Sequence, residues 1–273
     1  MKILCCGDVV GKSGRQAIEK YIPDLRSRLG LDLVLVNGEN AAHGFGITEK
    51  ICQSFYQVGV DVITTGNHVW DQREVMNYID SDPRLLRPLN YPKGTPGKGS
   101  AVIEAANGAR VLVVHPMGRL FMEPLDDPFF GVDKALKDHK LGETVDAIVV
   151  DMHADITSEK MAMGHYCDGR VSVVVGTHTH VPTADAQVLP GGTAYQSDMG
   201  MCGDYDSVIG MIKETAIARF TTKLPKGRLA PAEGEATLCG VYIETDDKTG
   251  LARLIKPVRA GGRLAETVPE ITP

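Results

Sequence analysis

No two of the six cysteines, Cys5, Cys6, Cys52, Cys167, Cys202 and Cys239, stand in a CxxC pair. The chain therefore carries no cysteine framework, and scattered thiols fit a reducing cytoplasm. Cys5 and Cys6 lie in an apolar run, where a thiol serves as a small core hydrophobe. Basic excess is missing too: 29 Lys and Arg face 35 Asp and Glu, for a net charge of −6. That balance excludes a general nucleic-acid-binding surface and leaves room only for a local basic pocket. No apolar run approaches a membrane-spanning length. Met1-Lys2-Ile3-Leu4 enters a strand-like run without the pattern of a leader peptide. Repeats, low-complexity tracts and a linker are also missing. The expectation is a soluble cytoplasmic protein with no membrane partner.

What is present is ordinary globular material: 273 residues, 43% hydrophobic and 23% charged, enough for a large core. Apolar runs alternate with polar loops and helical spacing. Lys2 to Cys6, Asp32 to Val36 and Asp61 to Thr65 read as strands, each followed by a helix. Pro23 would kink or split the first helix. Thr48 is placed to cap the second, and Asp71 with Glu74 resembles a capping box for the third. Asn107-Gly108 predicts a hairpin between Ser100–Glu104 and Ala109–His115. Asp146 to Val150 and Val171 to Val175 are further buried strands. A helix is expected from Lys213 toward Phe220, and strands over 237–244 and 251–258. The βαβ alternation implies one α/β domain over 1–273 built on a largely parallel sheet, with a small cap excursion near 116–140.

Each strand ends in residues suited to metal chemistry: Asp8, Glu39, Asn40, Asn67, His68, His153, His178 and His180. Parallel sheets bring such ends to one edge, where α/β ligand sites lie. Gly176-Thr177-His178-Thr179-His180 follows an apolar run, and in extended backbone its two imidazoles would project to one side, with Thr177 and Thr179 on the other. Carboxylate, amide and imidazole donors suit Mn, Fe or Zn in hydrolytic sites, and thiolate is missing from the set. The donors suffice for two ions about 3.5–4 Å apart with one carboxylate between them. Asp151 and Asp155 could orient a ligand imidazole. His43, beside two glycines, is either a substrate contact or a loop residue. His115, His139 and His165 read as surface or core histidines.

In this order the motifs Gly7-Asp8, Gly38-Glu39-Asn40, Gly66-Asn67-His68, His153 and Gly176–His180 resemble the calcineurin-like metallophosphoesterases. Position 10 is Val where that family has His, and Glu39 stands where it has a bridging Asp. Those departures, with Asn40 beside Glu39, resemble the YmdB-type phosphodiesterase branch. The resemblance extends to Gly7–Arg15, His153–Lys160, Asp168-Gly169-Arg170 and Thr183–Asp198.

The resemblance implies a four-layer α/β/β/α sandwich with mixed and parallel sheets. It implies two divalent ions, iron or manganese. Asp8, Glu39, Asn40 and His180 would hold one, Glu39, Asn67, His153 and His178 the other, with Glu39 bridging. It implies metal-hydroxide attack on phosphorus with His68 as general acid. The substrate would be a small 2',3'-cyclic nucleotide opened to a 3'-nucleotide, and the protein a homo-oligomer. A broader phosphomonoesterase, or a regulatory metal-binding protein with weak turnover, are the alternatives.

Overall fold

The computed structural model describes residues 1–223 and 227–270. In chain order the elements are β1 (Lys2–Val10), α1 (Gly11–Leu29), β2 (Leu33–Asn40), α2 (Glu49–Gln57), β3 (Val62–Thr64), α3 (Val75–Tyr78) and β4 (Leu85–Leu86). There follow β5 (Ser100–Glu104), β6 (Arg110–Val114), α4 (Pro128–Lys137), β7 (Ala147–His153), α5 (Thr157–Cys167) and β8 (Val173–Thr177). The chain continues through β9 (Gln187–Val188), β10 (Ala194–Gln196), β11 (Met201–Cys202), α6 (Lys213–Thr222), β12 (Leu238–Thr245) and β13 (Ala252–Ala260).

The central strands β1, β2, β7 and β8 are buried on both faces because both faces are covered. Ile3 and Cys5 of β1 point into one core, Leu4 and Cys6 into another. Leu33 and Leu35 of β2 alternate in the same way with Val34 and Val36. In the second sheet Val111, Val113, Val149, Val173 and Val175 join the first sheet's Ile3, Cys5, Leu33 and Leu35 in a shared central core. Leu112, Val114, Ile148, Val150 and Val174 turn outward, toward Val132 and Leu136 of α4 and Met163 and Cys167 of α5. Ile18, Ile22, Leu25 and Leu29 of α1, with Cys52 and Phe55 of α2, cover the first sheet's outer face. Three cores between four layers give an α/β/β/α sandwich.

The first sheet has the order β13-β12-β1-β2-β3-β4, with β11 also pairing β1; the second has β5-β6-β7-β8-β10-β9. β1 through β4 run parallel, as do β6, β7, β8 and β10, while β12, β13, β5 and β9 pair antiparallel. The parallel strands of both sheets end at one edge of the molecule. Among the described residues no helix is long and apolar enough to cross a membrane.

Some local expectations need correction. α1 is not split at Pro23 but runs as one helix through it. No helix starts at Asp71: α3 begins only at Val75, and Glu74 makes no side-chain cap. After Ser197 the chain also contributes β11 beside β1. Thr48 does cap α2, accepting from Ile51 N at 3.3 Å.

Candidate metal centre

Two groups of side chains converge where the sheets end. Glu39, His153 and His178 form one; Asp8, Glu39 and His180 form the other, with candidate ligand atoms within 4.8 Å of one another in each. Glu39, at the end of β2, belongs to both. The β1–β2 register slips on both sides of Asp8, and such irregularities re-aim side chains at strand ends. Asn67 stands in the 3-10 turn Gly66–His68 directly after β3. Its Oδ1 lies 2.9 Å from His153 Nε2. Asn40 lies 2.9 Å from Glu39 Oε1 and 3.1 Å from His180 Nε2 through its amide nitrogen. A half-turn of that amide would put Oδ1 in the same place, the orientation a cation requires.

The donor set fits cations because its lone pairs meet with too few protons. Thr177 Oγ1 donates to Asp151 Oδ1 at 2.8 Å, so its oxygen accepts from His153 Nδ1 at 2.9 Å. Nδ1 thus carries the imidazole proton, and Nε2 offers a lone pair. That lone pair faces Glu39 Oε2 at 2.9 Å, Asn67 Oδ1 at 2.9 Å and His178 Nδ1 at 3.2 Å. Glu39 Oε2 is buried without a hydrogen-bond partner. Space is reserved around it: a Cβ on Gly66 would lie 1.8 Å from Glu39 Oε2 and 2.6 Å from His153 Nε2.

The electrostatics agree. Burial first, then the charges of Glu39, Asp198 and Asp151, push the Asp8 carboxyl well above its usual range. Burial opposes ionisation of Glu39 as well, and it takes positive charge at His153, followed by His68 and His180, to hold Glu39 low; with Nε2 of His153 a lone pair, a bound cation would have to supply that charge. Burial pushes His178 down to about 3, with His153 adding to it, and lowers His180. Neutral imidazoles beside buried carboxylates are the ligand state a divalent ion needs.

The Gly176–His180 stretch is not extended where it matters. β8 ends at Thr177, and His178 and His180 have φ of 100° and 65°. This left-handed backbone corrects the expected same-side projection and sends the two imidazoles to different groups. It is pinned from several sides. His178 N donates to Asp8 at 3.2 Å, Thr179 donates to Asp198 Oδ2 from N at 3.0 Å and Oγ1 at 2.6 Å, and His180 Nδ1 donates to Ile209 O at 2.8 Å. Asp198 also takes Lys160 Nζ at 2.8 Å, both side chains being buried.

Further supports were not evident in the chain. His115 is fully buried; its Nε2 accepts from Gly66 N at 3.0 Å while Nδ1 donates to Asp151 O at 3.0 Å. Its signal was the one that marked His153, a histidine closing an apolar run. Burial opposes the Asp151 charge, but His115 and Thr64 outweigh it and hold Asp151 below its usual range. Asp155 is half-buried and lines the cavity above the centre.

That cavity has a volume of about 300 Å³, and its walls include Glu39, Asn40, His178, His180 and His68. His68 stands in the turn, half-buried, with Nδ1 2.8 Å from Asp71 Oδ2. Asp71 thus holds a histidine rather than capping a helix. α4, from the 116–140 segment, lies in the outer layer, and none of that segment lines this cavity.

Residues 4–258 match the model of the family described as YmdB-like protein. The chain is 50% identical over 258 residues to the 2',3'-cyclic-nucleotide 2'-phosphodiesterase of Bacillus subtilis (strain 168), covering 94% of this chain and 96% of that one. A crystal structure of a protein from Thermus thermophilus superposes with TM-score 0.88 at 45% identity, over 95% of this chain and 99% of its own. A phosphatase structure from Mycoplasma pneumoniae superposes with TM-score 0.88 at 34% identity, over 95% and 93%.

Proposed function

Because the chain belongs to the YmdB-like protein family, we propose that it is a dinuclear-metal phosphodiesterase opening 2',3'-cyclic nucleotides to 3'-nucleotides. The observation that carries this reading is the convergence of lone pairs on Glu39 and His153 Nε2 with too few protons to pair them. Asp8, Glu39, Asn40 and His180 would hold one ion; Glu39, Asn67, His153 and His178 would hold the other. Iron and manganese suit this oxygen and nitrogen set. Two such ions supply a nucleophilic water at neutral pH and offset charge on the phosphoryl oxygens.

The chain's own residues do the rest. Asp71 fixes His68 Nδ1, which leaves Nε2 free to give a proton to the departing 2'-oxygen as its bond to phosphorus breaks. The Asp151–Thr177–His153 chain fixes one tautomer, and Asp198 fixes the backbone that carries His178 and His180. The substrate is a small molecule, in keeping with a cavity of about 300 Å³. Six buried free thiols suit the cytoplasm, and family likeness points to a homo-oligomer.

The test is direct. Protein loaded with Mn²⁺ or Fe²⁺ should convert 2',3'-cyclic AMP to 3'-AMP faster than it hydrolyses a phosphomonoester. A preference for the monoester would replace this reading with a phosphatase. Turnover of neither by protein carrying two ions would leave a metal-binding regulator.

A further inference from the structure

The cavity above the metal groups has a second wall that the phosphoryl chemistry leaves unused. It is formed by Phe45, Ile209, Met211 and Leu229. We propose that this wall is a nucleobase subsite, one that takes purines and pyrimidines alike. The inference rests on the function proposed above.

Phe45 is presented by a loop built for rigidity. His43, Gly44 and Gly46 all have left-handed backbone, with φ of 55°, 89° and 76°. Ala42 N donates to Gly46 O at 2.8 Å, and Gln72 Nε2 donates to Phe45 O at 2.7 Å. The loop packs closely on its neighbour: a Cβ on Gly46 would lie 2.9 Å from Gln72 Cγ. The Phe45 ring meets the His68 ring edgewise, with centroids 5.2 Å apart and planes at 71°. It therefore stands beside the proposed acid and lines the same cavity.

Ile209 and Met211 are tied to the metal groups. Val208 and Met211 exchange two backbone hydrogen bonds of 3.0 Å, closing a turn whose Ile209 O accepts from His180 Nδ1 at 2.8 Å. Ile209 is 54% exposed, an apolar side chain at the cavity mouth that packing does not account for. A flat aromatic or aliphatic wall of this kind recognises the π-face every base has. Reading a base edge needs hydrogen-bonding groups. Beyond the metal groups and His68, the polar lining is Asp155 and Thr179, and the Thr179 hydroxyl is engaged by Asp198.

The experiment compares the metal-loaded enzyme on 2',3'-cyclic AMP, CMP, GMP and UMP, and on methyl riboside 2',3'-cyclic phosphate, which has no base. We expect kcat/KM for the four nucleotides to agree within about tenfold and to exceed that for the base-less ester. Phe45→Ala should lower the ratio of cyclic AMP to base-less kcat/KM by about tenfold, mainly through KM. Ile209→Ser, at an exposed position, should lower it in the same direction. An unchanged ratio in both variants, or equal losses on both substrates, would overturn the subsite and leave the phosphodiesterase standing. Wild-type protein that turned over neither substrate would overturn the function itself.

Discussion

The Thr177 hydroxyl stands between Asp151 and His153, donating to the carboxylate at 2.8 Å and accepting from the imidazole Nδ1 at 2.9 Å. The three residues come from neighbouring strands, and the arrangement lets a buried carboxylate set a tautomer one residue removed. Thr177→Val keeps the shape and removes the relay. Affinity at the Glu39–His153–His178 group should fall roughly 10- to 100-fold, with the Asp8–Glu39–His180 group less affected. A metal titration resolving two binding steps checks this. Parallel weakening of both steps would show that Thr177 does not act through His153.

The buried pair Lys160–Asp198 supports the other side of the centre. Asp198 receives the Thr179 N–H and hydroxyl and so holds the left-handed turn between His178 and His180. Lys160→Met leaves that carboxylate buried without its partner and should cost about 3–5 kcal/mol of stability. Lys160→Met with Asp198→Asn should recover a large part of this. Denaturant midpoints of the three proteins test it; equal losses in the single and double variants would place the cost in packing around Lys160.

These two supports also show where the chain could be read and where it could not. The layers were legible because the central parallel strands are apolar on both faces, and the polar residue closing each run marks the common edge. Asp8, Glu39 and His153 are visible on that ground. The backbone at His178 was not, because its conformation depends on Asp8, 170 residues away, and on Asp198. Asp71 misled for a different reason: Asp-x-x-Glu before an apolar residue has the form of a helix cap, and only the fold shows its carboxylate turned to His68. His115 carried the strand-end signal, yet what it binds is the Gly66 amide, a partner no spacing rule identifies.

His68 gives a prediction that separates acid catalysis from metal binding. His68→Gln should lower kcat on 2',3'-cyclic AMP by about 10²- to 10⁴-fold with metal content unchanged. Asp71→Asn weakens the hold on Nδ1 and should act in the same direction with a smaller loss. On bis(p-nitrophenyl) phosphate, whose leaving group needs no proton, both losses should shrink. Equal losses on the two substrates would sink the acid role.

The protonation of Asp8 sets the pH dependence of metal uptake. Burial, followed by the charges of Glu39, Asp198 and Asp151, raises its pKa in the metal-free protein, against the smaller opposing effect of the His178 N–H. A raised carboxyl keeps its proton in the fold at pH values where the unfolded chain has lost it. Its stabilising contribution to the metal-free fold is therefore complete below the unfolded value and lost as pH rises through the folded one. A cation needs the ionised form, so uptake must displace that proton, and affinity must rise with pH. His178, pushed down to about 3, is already neutral across the working range and releases nothing. Burial moves His180 the same way. Between about pH 5 and 8 the Tm gained on adding Mn²⁺ should therefore grow with pH. Calorimetry in buffers of different ionisation enthalpy should detect proton release on uptake, with metal-bound water adding to it near neutral pH. Asp8→Asn should bind more weakly and release fewer protons than the wild type. Release undiminished in Asp8→Asn would assign the protons to a histidine or to metal-bound water and contradict the burial argument for Asp8.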